Sequence, residues 1–164
     1  MEGEQLMKLP CVTVYQTPEG KPYTVEEGGI TYDGRRRLNC PQSVFDFVSD
    51  THLPFRAGEA VIAIFCDSYL CPLSYTEISR GTVKTSIVPI REIIQCALLS
   101  HATVNNVILV HNHPSGDTNP SQDDLNVTLK LQDALNLVEM YLQDHIVVSP
   151  SGYTSIREFS SASA

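Results

Sequence analysis

The sequence predicts an α/β domain in which helices pack on a mixed β-sheet, preceded by a short β-rich arm. Three observations carry that expectation. Residues 60–65, 107–110 and 146–148 are continuous apolar runs of strand length, as in strands buried on both faces. Residues 89–100, and the stretch from Ser121 to about residue 140, carry apolar side chains at helical spacing. The two kinds of segment alternate along the chain, as they do where helices cover a sheet.

The arm, residues 1–40, is broken into short pieces by Pro10, Pro18, Gly20, Pro22, Gly28, Gly29 and Gly34. Residues 12–15, 23–25 and 30–32 have strand-type side chains, and Gly28-Gly29 is expected to turn the last two into a hairpin. The run Arg35, Arg36, Arg37 reads as a phosphate contact or as a solvated loop; in an acidic chain the loop is preferred, and the arm is assigned no chemistry.

Residues 41–158 form the main domain. Pro41 opens a helix reaching about Asp50, with Val44, Phe45, Phe47 and Val48 as its apolar face. Pro54 and Gly58 mark a boundary before the strand at 60–65, which a polar turn at Asp67-Ser68 joins to a second strand at 70–79. The helix at 89–100 opens on Pro89 and lays Ile90, Ile93, Ile94, Ala97 and Leu98 against the sheet. After the strand at 107–110, the helix from Ser121 offers Leu125, Leu129, Leu135, Val138 and Leu142. The strand at 146–148, a turn at Gly152 and a short partner at 153–156 complete the sheet. Residues 159–164 form a tail, and its Ser/Ala stretch at 160–164 is expected to fray.

Composition bounds the function. A chain of 164 residues, 42% hydrophobic, suits one compact domain with an arm. With 11 basic against 19 acidic residues the net charge is −8, which disfavours nucleic acid as a broad electrostatic partner. No apolar run approaches the roughly 20 residues of a membrane helix, and the start MEGEQLMKLP lacks a signal-type core, so a soluble cytoplasmic chain is expected. Cys11, Cys40, Cys66, Cys71 and Cys96 include no CxxC pair and read as reduced thiols, with Cys66 and Cys96 packed as small hydrophobes.

The chemistry concentrates in HNHPSGDTNPSQDD, residues 111–124, directly after a buried strand. In extended geometry His111 and His113 point to one face, so two imidazoles converge. Pro114, Gly116 and Pro120 turn the chain, and the helix beginning at Ser121 returns Asp124 towards the same place. Two histidines and a carboxylate leave the fourth tetrahedral position of a zinc ion open, as in catalytic sites. Ser121-x-x-Asp124 also reads as a capping box, which by itself accounts for both residues. Both readings stand at this point. No H-x-E with P-C-x-x-C, no H-E-x-x-H and no G-x-S-x-G occurs, which removes nucleobase deaminases, helical zinc proteases and serine hydrolases of that type.

The spacing of His111, His113, Ser121 and Asp124 matches the JAMM motif of the MPN metallopeptidases. More narrowly, that segment together with VILV at 107–110, PIRE at 89–92, RGT at 80–82 and DHIVV at 144–148 resembles the RadC family over about residues 57–158. The resemblance implies an MPN/JAB-like, cytidine-deaminase-like three-layer domain. It is similar to the stand-alone form, because the helix-hairpin-helix module that precedes the domain in full-length RadC proteins is expected to be missing. The resemblance further implies one zinc ion per chain held by His111, His113 and Asp124, and a glutamate before an early buried strand that moves protons. Glu59 occupies that place, with Glu77 and Glu92 as alternatives. Ser121 would donate to the oxyanion, while Asp144 and His145 either orient a ligand or are satisfied core groups. The implied activity is hydrolysis of a peptide or isopeptide-like amide, with a peptide or protein substrate. The alternatives are a DNA-repair-associated or nucleic-acid processing factor and a non-catalytic MPN scaffold.

Overall fold

The computed structural model describes residues 6–33, 36–80 and 88–163. Gly34 and Arg35 of the arm, and Gly81 and Thr82 of the RGT motif, lie outside the described residues.

The arm forms two antiparallel ribbons: β1 (Leu6–Leu9) pairs with β4 (Ile30–Asp33), and β2 (Val12–Gln16) pairs with β3 (Pro22–Glu26). The hairpin expected across Gly28-Gly29 therefore does not form. Gly28 and Gly29 have φ of 72° and 129°, and a Cβ on Gly29 would collide with the Leu9 carbonyl oxygen. The pair thus lets the chain pass close over the end of β1 rather than reverse on itself. β1 escaped the sequence reading because Leu6 and Met7 are exposed and the strand has only four residues. The arm is built into the domain: Leu9 and Tyr32 join the main core, and the Tyr75 amide donates to the Pro10 carbonyl at 3.2 Å.

The central sheet holds β5 (Ala60–Cys66), β6 (Pro72–Arg80), β7 (Asn106–Asn112), β8 (Tyr141–Ser149) and β9 (Gly152–Ser155), in the order β6-β5-β7-β8-β9. Only β7 and β8 run parallel; the other pairs are antiparallel. Every residue of β5 and β7 is buried, which is why both runs are apolar without alternation. The turn at Asp67-Ser68 forms as expected, with Asp67 Oδ1 accepting the amides of Tyr69 and Cys71.

Side chains sort by parity into two cores. On one face Ile62, Ile64, Ile108, Val110, Ile146 and Val148 meet Val44, Phe47 and Val48 of α1 (Pro41–Ser49) and Leu53 of a short 3-10 turn. On the other, Val61, Ala63, Phe65, Val107 and Leu109 meet α2 (Ile90–Ser100) and α3 (Gln122–Leu137) through Ile93, Cys96, Ala97, Leu131 and Leu135. Each such large side chain contributes about 1.5–3 kcal/mol of burial. The mixed sheet between helical layers is the fold class the sequence predicts.

Two helix faces differ from expectation. Leu98 is 58% exposed because the buried residues of α2 are Ile93, Cys96 and Ala97, and Leu129 is 61% exposed because the buried stripe of α3 is Leu131 and Leu135, with Leu129 about 200° around the helix from Leu131. Leu142 belongs to β8 and not to α3. Ser160, Ser161 and Ala162 belong to α4 (Ile156–Ala162), whose Ser155 cap accepts the Glu158 amide at 3.2 Å.

Candidate metal centre

His111 is the next-to-last residue of β7 and lies on the face shared by Val107 and Leu109, beneath α3. His113 follows the strand end, its amide donating to the Val148 carbonyl at 2.9 Å. The chain then reverses: the Gly116 amide donates to the His113 carbonyl at 3.0 Å, and Asp117 Oδ1 accepts the Asn119 amide at 3.0 Å. Ser121 caps α3 and delivers Asp124 in its first turn.

The capping box and the His111/His113/Asp124 cluster are both present, because one carboxylate oxygen serves the cap while the other faces His111. Asp124 Oδ2 accepts the Ser121 amide and the Ser121 hydroxyl, each at 2.7 Å, while Ser121 Oγ accepts the Asp124 amide at 3.1 Å. Asp124 Oδ1 stands 3.2 Å from His111 Nε2. The two Nε2 atoms of His111 and His113 are 3.0 Å apart. One donor atom from each of the three residues lies within 4.8 Å of the others, so together they are a possible metal-binding group.

Hydrogen-bond direction sets the imidazole tautomers. The Thr128 hydroxyl donates to the Asp124 carbonyl at 2.6 Å, so Thr128 Oγ1 accepts the proton of His145 Nδ1, also at 2.6 Å. Burial pushes His145 well below the usual histidine range and keeps it neutral, so its Nε2 carries a lone pair. That lone pair accepts from His111 Nδ1 at 2.8 Å. His113 Nδ1 donates to the Asp117 carbonyl at 2.7 Å. Both Nε2 atoms point towards a carboxylate oxygen, and in the neutral imidazoles each offers a lone pair at a point that a cation complements. Burial acts to raise the Asp124 carboxyl, but contact with His111 and the Ser121 amide and hydroxyl outweigh it and hold the group far below the usual carboxylate range.

Glu59 borders a cavity of about 700 Å³ that also contains His111, His113, Ser121 and Asp124. Register explains the placement. The last β5–β7 pair is Val61 with His111, so Glu59, two residues before Val61, lies just beyond the ladder end at which His111 stands. Glu77 instead forms a two-pronged ion pair with Arg56, at 2.6 and 3.1 Å. Glu92 sits in the first turn of α2 and is not among the residues bordering the cavity. Ser121 reaches the cavity, but its hydroxyl proton is committed to Asp124 Oδ2. Asp144 orients no imidazole: it accepts the Ser155 hydroxyl at 2.7 Å and the His145 and Arg157 amides, tying β9 and α4 to β8. Of the two groups weighed for a supporting part, His145 touches His111 and Asp144 does not.

Thr128 and Asn112 carry parts the sequence reading did not assign. Thr128 lies one helical turn after Asp124 and so shares its face, which is a legible signal. Asn112 offered none, since its side chain points away from both histidines and bonds to residues 56–60.

A three-layer α/β domain with two histidines at a strand end and a carboxylate from the following helix defines a JAB-type domain. The chain belongs to the RadC-like JAB domain family, whose model matches residues 38–161. It is 38% identical over 128 residues to a UPF0758 protein of Paracidovorax citrulli, covering 78% of this chain and 53% of the relative. It is 35% identical over 133 residues to a UPF0758 protein of Cellvibrio japonicus, covering 76% and 58%. A UPF0758 protein of Neisseria meningitidis is 35% identical over 121 residues, covering 74% and 52%. The chain thus spans about half the length of the curated relatives it matches. Among the described residues, no helix is long and apolar enough to cross a membrane.

Proposed function

We propose that this chain is a zinc-dependent hydrolase of JAMM type that cleaves a peptide or isopeptide-like amide bond in a peptide or protein substrate. The observation that carries the reading is the convergence of the His111 and His113 Nε2 atoms and Asp124 Oδ1 on one point, at the wall of a cavity large enough for a side chain and its flanking amides. The donor set, two nitrogens and one oxygen, suits one zinc ion with a fourth position left open. Zinc in such a site supplies Lewis acidity, polarising a carbonyl and lowering the pKa of water towards about 7.

The chain's own residues do the rest. His111, His113 and Asp124 would hold the ion. Glu59 accepts the proton of the attacking water and passes it to the leaving amine. Ser121 turns its hydroxyl from Asp124 Oδ2 to the developing oxyanion, while its amide retains the carboxylate. Val61, Val88, Ile90 and Val127 form an apolar stretch of the cavity lining that keeps water from the reacting amide.

The test is zinc per chain in protein purified without chelators, beside folded His113→Ala and Asp124→Ala variants. About one zinc in the parent and little in either variant is expected, followed by hydrolysis of peptide amides that Glu59→Gln abolishes. A parent that cannot be loaded with zinc overturns the reading. A loaded parent that cuts nucleic acid and no amide favours the nucleic-acid processing alternative.

A further inference from the structure

Asn112, between the two histidines, is fully buried, and every hydrogen-bonding group of its carboxamide is engaged with one loop. Its Oδ1 accepts the Ala60 amide at 2.7 Å, and its Nδ2 donates to the carbonyls of Arg56 at 3.2 Å and Gly58 at 3.1 Å. The oxygen meets an N–H and the amino group meets two carbonyls, so the orientation of the carboxamide follows from its partners. These contacts bracket Glu59 on both sides. The side chain reaches the Ala60 amide, 52 residues away in sequence, one step beyond the last β5–β7 pair, Val61 with His111.

We infer that Asn112 is a positioning residue for Glu59: it clamps residues 56–60 to the end of β7, so that the Glu59 carboxylate and the His111/His113/Asp124 cluster hold one relative geometry. The inference rests on the proposed reading of Glu59 as the proton carrier. Two features make the clamp specific. The same backbone segment supplies a histidine on each side of Asn112, so any shift of the loop relative to Asn112 is a shift relative to the cluster. The loop's second anchor, the Arg56–Glu77 ion pair, holds it to β6 and not to the histidines. Beyond the last ladder pair, Val61 with His111, registration of residues 56–60 against the cluster falls to the carboxamide. Asn112→Asp keeps the acceptor for Ala60 but sets a carboxylate oxygen against two carbonyls, and the loop moves away.

The experiment is a double-mutant cycle of Asn112→Asp and Glu59→Gln in cobalt(II)-loaded protein, with acetohydroxamate as the probe and the cobalt visible absorption as the readout. Acetohydroxamate sheds a proton as it chelates, so its affinity depends on a base held beside the ion. Each single variant is expected to bind one cobalt per chain and to lose roughly tenfold or more in acetohydroxamate affinity, the scale of a charge-assisted hydrogen bond. The double variant is expected to match Glu59→Gln alone. Equal losses from Asn112→Asp with and without Glu59, or none at all, overturn the inference, since a merely structural role would add to the Glu59 effect. A parent that takes no cobalt, or a Glu59→Gln form that binds acetohydroxamate as the parent does, removes the reading of Glu59 and the inference with it. Those outcomes appear before Asn112 is touched. If Asn112→Asp does not fold, Asn112→Ser, which removes one donor and shortens the reach, takes its place in the cycle.

Discussion

His111 Nδ1 and His145 Nε2 stand 2.8 Å apart inside the protein, joining two residues 34 positions distant in sequence. Through this contact Thr128, on α3, determines which nitrogen of His111 is bare. The histidine that forms the floor of the cluster is oriented by the helix that brings its carboxylate partner.

Thr128→Val should therefore weaken metal binding about 10- to 100-fold, the usual cost of losing a supporting partner, with the far-UV spectrum unchanged. Zinc competition against a chromophoric chelator measures it. Thr128→Ser, which keeps the hydroxyl, should restore affinity to within a few-fold. Equal affinity in the valine form would show that the relay does not set the tautomer.

Ser121→Ala and Glu59→Gln should separate cap from chemistry. The first removes the N-cap of α3 and two contacts with Asp124, and should cost about 0.5–2 kcal/mol in urea unfolding of the metal-free chain. Glu59 is exposed, and its change to Gln should stay within about 0.5 kcal/mol.

Gly29→Ala should cost more than Gly28→Ala. Both positions have positive φ, but only at Gly29 does a Cβ meet the Leu9 backbone. A loss on the order of 1–3 kcal/mol is expected at Gly29, and about 1 kcal/mol at Gly28. Similar unfolding midpoints for the two variants would contradict the close crossing of the arm.

Stability should decline in alkali. Burial pushes the Cys66 thiol and the Tyr75 phenol above their ordinary ranges, so the folded chain keeps protons that the unfolded chain releases above roughly pH 8.5 and 10 respectively. The folded state then binds more protons than the unfolded, and unfolding free energy falls as pH rises; below about pH 8 the contribution is complete. Urea midpoints from pH 7 to 11 should show this, and Tyr75→Phe should flatten the upper part of the curve. An unchanged slope in Tyr75→Phe would assign the decline elsewhere.

Local pattern made much of the molecule legible. Apolar runs of strand length marked β5, β7 and the end of β8, helical spacing marked α1, α2 and α3, and the His111, His113, Ser121, Asp124 spacing marked the cluster, because strand and helix periods act over a few residues. Even the choice between cap and ligand at Asp124 was visible as a choice. What the sequence did not carry is pairing between distant segments. The ribbon partners of β3 and β4, the placing of Glu59 rather than Glu77 or Glu92 at the cavity, the His145–Thr128 relay and the Asn112 clamp all join residues whose separation has no periodic signature. The sequence by itself determined most elements of the main domain and the residues able to bind a metal. The tertiary structure decided which histidine nitrogens converge and which of the candidate glutamates borders the cavity, since sheet register and buried hydrogen bonds are satisfied only once the whole chain has packed.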